Sequence, residues 1–218
     1  MKSLSELIFP SRCIGCLQLG ISICSICRKS WHPHIYRREL FVLGESYPVI
    51  SSIKYSQIAS RVLLSAKEAN IIAADESLIS AITNSLRFFI KNFGPGTLVP
   101  IPSRKSATRK RGRNFMLEIT DSVAERESHR TIEILHHLRV VNDQSQLNSQ
   151  QRISNISGAL SASIKSTPSK HPGNTGPVII VDDLITTGAT LVEAIRALRT
   201  AGYAVIGAVT GAVANPYD

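Results

Sequence analysis

The chain has 218 residues, of which 43% are hydrophobic and 19% charged, with a mean hydropathy of +0.06. This composition excludes a disordered polymer, and the length suffices for one medium domain with a small appendage. No apolar run approaches the roughly 18–20 residues of a membrane span. The opening MKSLSELIFPSRC lacks the apolar core of a secretory signal, so no membrane insertion and a cytoplasmic setting are expected.

The net charge of +9 is concentrated in two places. Residues 1–40 hold six basic and two acidic side chains, whereas 104–113 hold Arg104, Lys105, Arg109, Lys110, Arg111 and Arg113 with no acid. The remainder is close to neutral. Both basic stretches suit an anionic partner, either a phosphorylated small molecule or nucleic acid, although a solvated surface loop is the bland alternative.

All four cysteines, Cys13, Cys16, Cys24 and Cys27, fall in the pattern C-x2-C-x7-C-x2-C. Each C-x2-C pair can turn two thiolates toward one ion, and two such knuckles complete a tetrahedral site. Soft sulfur ligation favours Zn2+ in a structural role, with iron left open. Two disulfides are the alternative, and they fit poorly with a cytoplasmic chain. Residues 1–40 are therefore read as a small ribbon folded around a metal, and 41–218 as the main domain. His32 and His34 are read as surface or packing residues.

Residues 41–74 are mixed and are expected to connect the ribbon to the main domain while covering part of it. From Asp75, a plausible N-cap, SLISAITNSLRFFIKNF shows helical spacing up to Gly94-Pro95-Gly96. TLVPIP at 97–102 reads as a short buried strand, and the basic run after it as a loop. A helix is expected from near Asn114, with Phe115, Ile119 and Val123 on one face. Residues 139–157 and the Pro/Gly/Ser/Lys stretch 168–177 read as loops. PVIIVDD is an apolar strand ending in two acids, Leu191–Thr200 is helical, and AVIGAVTGAV is the last strand. Strands alternating with helices imply an α/β fold with a parallel sheet flanked by helices.

The strongest chemical signal is VIIVDDLITTGAT at 178–190. A buried strand delivers Asp182 and Asp183 to the edge of the sheet where ligands of open α/β folds bind. Thr186, Thr187, Gly188, Ala189 and Thr190 then form a small hydroxyl-and-glycine loop leading into a helix. Backbone N–H groups there can wrap a phosphate. The acids repel phosphate and suit hydroxyls, a Mg2+ shell or a developing cation instead.

This segment closely resembles the motif with which type I phosphoribosyltransferases bind phosphoribosyl pyrophosphate (PRPP). The resemblance implies Asp182 and Asp183 on the ribose 2′- and 3′-hydroxyls, Thr186 through Thr190 on the 5′-phosphate, and Mg2+ arriving with PRPP. Pro100-Ile101-Pro102 followed by Arg111-Gly112-Arg113-Asn114 is similar to the PVP…RGFNQ segment of the ComF family, which is related to the GntX group. Gln146-Leu147, Arg152, Asn155 and Gly158-Ala159 are similar to another segment of that family. With the four-cysteine ribbon, the resemblance spans nearly the whole chain. It implies Ser103, Arg104 and Arg111 on the pyrophosphate side and Arg152 on a loop closing over the site. It also implies transfer of a phosphoribosyl group to an acceptor left open, in a protein linked to competence, with single-stranded DNA or DNA-uptake proteins as partners. A PRPP-sensing or DNA-binding module without turnover is the second reading. RGRNF replaces the usual RGFNQ here, and Lys67, in SAKEA, stands where the family often has a basic residue.

Overall fold

The computed structural model describes residues 12–139, 156–163 and 176–215. In chain order the elements are α1 (Ser25–Ser30), β1 (Tyr36–Val42), β2 (Glu45–Lys54), α2 (Gln57–Ala69), α3 (Ile72–Phe93), β3 (Thr97–Pro100) and α4 (Lys105–Arg111). There follow α5 (Phe115–Glu127), β4 (Leu135–His137), β5 (Leu160–Ala162), β6 (Val178–Ile185), α6 (Ala189–Thr200) and β7 (Val205–Val213). One sheet has the order β1-β2-β7-β6-β3, and β4 pairs with β5 separately. Strands β2, β7, β6 and β3 are mutually parallel, and only the edge strand β1 is antiparallel. Helices α2, α3 and α5 supply apolar side chains to one core, while α6 and the β4–β5 pair supply them to a second. The chain thus forms the expected parallel α/β sheet flanked by helices.

The central strands form because they are apolar on both faces: every residue from Val178 to Val181 is buried. Segment 41–74 departs from its reading as a connector. It holds the end of β1, the whole of β2 and α2, and β2 lies inside the main sheet between β1 and β7. Its serines disguise it. Ser51 Oγ lies 2.6 Å from Thr210 Oγ1 and Ser52 Oγ 2.8 Å from Ser85 Oγ, so polar residues are buried at no hydrogen-bonding loss.

Helix α3 begins at Ile72 rather than Asp75, and Asp75 lies in its first turn instead of capping it. It presses close to β7 because of two glycines. A Cβ on Gly207 would come 2.7 Å from the Phe89 ring, and one on Gly211 2.4 Å from Leu78 Cδ1. No described helix is both long and apolar enough to cross a membrane.

The basic run is not a loop. Residues Lys105–Arg111 form α4, stopped by Gly112 in the left-handed region at φ 72°. Lys, Ala and Arg are good helix formers, and charge density alone did not reveal this. The helix expected near Asn114 starts at Phe115, with Phe115, Ile119 and Val123 all buried.

Candidate functional site

The two acids lie within β6, which runs on to Ile185, so they sit short of the strand's end. Both are only 8% exposed. Asp182 Oδ1 accepts a hydrogen bond of 2.9 Å from the backbone N–H of Asp183, which folds that carboxylate back toward its neighbour. Lys67, near the end of α2, donates from Nζ to Asp183 Oδ2 at 2.9 Å. Burial, together with the charge of Asp183, pushes the Asp182 carboxyl well above the usual carboxylate range. Burial also pushes Asp183 up, but the Lys67 ammonium outweighs it and Asp183 ends below its ordinary value. Lys67 is raised, first by the charge of Asp183 and against its own desolvation. The site therefore holds one firmly ionised acid and one that keeps its proton more readily.

Residues 186–188 leave the sheet directly after β6, and α6 follows with Gly188 at its N-cap. Gly188 has φ +82°, and a Cβ there would come 2.7 Å from Leu40 Cδ2, so this position needs glycine on both counts. No side chain caps α6, and Thr187 Oγ1 reaches Ala189 N only at 3.4 Å. The first-turn N–H groups and the half-buried Thr186, Thr187 and Thr190 hydroxyls are thus placed where an anion at the helix N-terminus would meet them.

Strand β3 pairs with β6 through Pro100 opposite Val181, and Ile101 N donates to Val181 O at 2.9 Å. The segment leading to Ser103 and Arg104 therefore emerges at the same sheet edge as the acids. His137 Nε2 donates to Pro102 O at 3.0 Å, tying β4 to this turn, and its own burial lowers the ring's proton affinity. Arg111 is directed differently from a free phosphate ligand: its guanidinium is 8% exposed and pairs with Glu68 at 2.9 Å. Arg113 pairs with Asp75 at 2.7 Å and lies over the Phe115 ring. Arg111 and Arg113 are thus engaged inside the chain, while Lys105, Arg109 and Lys110 are exposed. Arg152, with Gln146, Leu147 and Asn155, lies outside the described residues.

Lys67 is marked in the sequence only by standing where the resembled family often has a basic residue, with no role implied, and Glu68 is not marked at all; no spacing rule identifies either. A lone lysine beside the buried face of α2 (Val62, Leu63, Ala66) was the available signal.

The four cysteines form a second candidate centre. Their sulfurs all lie within 4.8 Å of one another, with Cys16 Sγ to Cys24 Sγ at 3.7 Å. Zn–S bonds of about 2.3 Å in a tetrahedron put sulfurs about 3.8 Å apart, so the donor set fits zinc. Burial raises the Cys13 thiol, but N–H groups of Cys24, Cys16 and Gly15 prevail and bring it to about 6. Desolvation and the neighbouring thiols raise Cys27. A Cβ on Gly15 would come 2.7 Å from Cys27 Sγ, so glycine allows the first knuckle to close on the second. Arg61 Nη1 donates to Gly15 O at 3.1 Å, and Trp31 Nε1 to Ser77 O at 3.3 Å, docking this ribbon on α2 and α3. A cavity of about 410 Å³ on the ribbon is lined by Ile21, Ile23, Ser25, Arg28, Lys29 and His32.

A family model, the phosphoribosyl transferase domain, matches residues 134–216. That stretch contains the β4–β5 pair, β6 with both acids, the 186–188 loop, α6 and β7. No curated protein matches the chain. The match supports a PRPP-binding, phosphoribosyltransferase-like function for the site built on β6.

Proposed function

We propose that this protein is a ComF-family, PRPP-binding phosphoribosyltransferase that transfers a phosphoribosyl group with release of pyrophosphate. We assign it a cytoplasmic setting linked to DNA uptake, a ribbon over 1–40 and a catalytic unit over 41–218. The observation that carries the reading is a pair of buried acids on a central strand running straight into a glycine-capped turn and an uncapped helix. Vicinal hydroxyls donate to ionised carboxylates, and a phosphate fits the N–H groups of the following turn.

In this reading Asp182 and Asp183 hold the ribose hydroxyls, and Thr186 through Thr190 hold the 5′-phosphate. Ser103 and Arg104, with Arg111 once released from Glu68, face the pyrophosphate, and Arg152 closes over it. Holding the sugar still and offsetting the leaving group's charge are what an oxocarbenium-like displacement requires. The carboxylates are the hard oxygen donors that Mg2+ takes, and the ion, arriving with PRPP, offsets part of the pyrophosphate charge. The cysteines hold a structural zinc. Calorimetry with PRPP and Mg2+ should show saturable binding, and pyrophosphate should appear when an acceptor from a nucleobase panel is added. Absence of PRPP binding by zinc-loaded protein overturns the reading.

A second reading is favoured by the internal pairing of Lys67 with Asp183 and Arg111 with Glu68, and by the cation-rimmed apolar cavity on the ribbon. It is a non-catalytic PRPP-sensing module that binds single-stranded DNA or a partner in DNA uptake. It predicts PRPP binding without turnover, and DNA affinity that falls steeply with salt.

A further inference from the structure

The edge strand β1 makes two contacts with the 186–188 loop that the motif itself does not contain. Arg38 Nη1 donates to the carbonyl oxygen of Thr186 at 2.7 Å, across 148 residues of sequence. Two positions along the strand, on the same face, Leu40 packs directly beneath Gly188. Alternate residues of one strand thus brace alternate residues of the loop.

We propose that Arg38 is a positioning residue for the phosphate subsite of the β6 loop, recognising a phosphate monoester such as the 5′-phosphate of a ribose. The peptide unit is planar and trans, so its C=O and the following N–H point in opposite directions. Anchoring Thr186 O on Arg38 turns the N–H of Thr187 to the opposite side of the loop. The glycine at 188, held at φ +82° over Leu40, then directs the chain into α6. The guanidinium is half-buried and adds a fixed positive charge beside the loop. The loop's shape is therefore set in part by an edge-strand residue far away in sequence, and β1, a strand of the main sheet, belongs to the site. This inference rests on the phosphate-binding role proposed for the loop.

The test uses the zinc-loaded full chain with Mg2+, and measures the affinity of ribose 5-phosphate and, separately, of inorganic pyrophosphate. A charge-assisted hydrogen bond of this kind is worth roughly tenfold or more in affinity. Arg38→Ala should weaken ribose 5-phosphate by about that factor while leaving pyrophosphate within about twofold. Arg38→Gln, which keeps a donor and loses the charge, should recover part of the loss, and circular dichroism of both variants should match the parent. Unchanged ribose 5-phosphate affinity in Arg38→Ala overturns the assignment, as does an equal loss for both ligands, which marks general loosening. If Arg38→Ala fails to fold, Arg38→Gln decides alone: affinity equal to the parent for ribose 5-phosphate shows positioning without charge, and equal losses for both ligands overturn it. Failure of the parent protein to bind either ligand is a different result: it removes the phosphoribosyl reading itself, and this inference with it.

Discussion

Four cysteine sulfurs within 4.8 Å of one another on the ribbon, and two buried carboxylates on β6, both gather groups that repel one another once ionised. They are held by different means. The ribbon has a small cluster of its own, Cys13, Cys24 and Cys27 with Ile23, and leans on α2, through Ile58 and Arg61, and on α3 for the rest. The geometry of its sulfurs fits a metal ion, which would satisfy the thiolates. The acids stand in a sheet covered on both faces, and a protein cation, Lys67, satisfies one of them. The ribbon therefore gathers its donors with little of the fold to offset them, whereas the acid pair is pre-formed by the fold, with one acid paired to a cation and the other holding its proton more readily.

Separating the two centres experimentally gives the largest effect. Asp182→Ala with Asp183→Ala should abolish PRPP binding by calorimetry and leave one zinc per chain by elemental analysis. Loss of zinc in that variant would show that the centres are not independent. Removing the metal by chelation should have the converse result. Trp31 is the single tryptophan, 8% exposed against α3, so its emission should shift to the red as the ribbon loosens. The far-ultraviolet dichroism of the sheet and helices should persist. An unchanged emission on full zinc loss would mean the ribbon is held without metal.

The acid pair gives the next effect, in its pH profile. Hydroxyls donate most strongly to the ionised carboxylate, which accepts at both oxygens, and Asp182 holds its proton above the usual range. Ligand binding therefore expels that proton, so PRPP affinity should rise with pH through the raised value and then level off. Lys67→Met removes the charge that lowers Asp183. Lys67 lowers Asp182 as well, so the rise should move to higher pH and affinity below it should fall. A profile identical to that of the parent would deny Lys67 its electrostatic role. The smallest change concerns packing: Gly211→Ala crowds Leu78 and the Asp183 carbonyl, and should cost about 1–3 kcal/mol, seen as a Tm lower by several degrees.

Contiguous signals were readable and distributed ones were not. The paired cysteine spacing, the apolar strand 178–181 and the Asp-Asp to Thr-Gly run each lie within a few residues, and their local chemistry is complete. The strand in segment 41–74 is not legible because Ser51 and Ser52 look exposed until Thr210 and Ser85 are brought beside them. That Arg111 and Arg113 are tied down is not legible in the basic run, because Glu68 and Asp75, which pair with them, lie 43 and 38 residues away.

Spacing along the chain suffices for the cysteine pattern, the alternation of strands and helices, and the order of acids in β6 followed by hydroxyls and glycine. Only the tertiary structure decided which cation meets which acid and what supports the loop. Lys67 reaches Asp183 across 116 residues and Arg38 reaches Thr186 across 148. Such pairings depend on strand order and helix packing, which bring distant residues within hydrogen-bonding reach, and these no local pattern encodes.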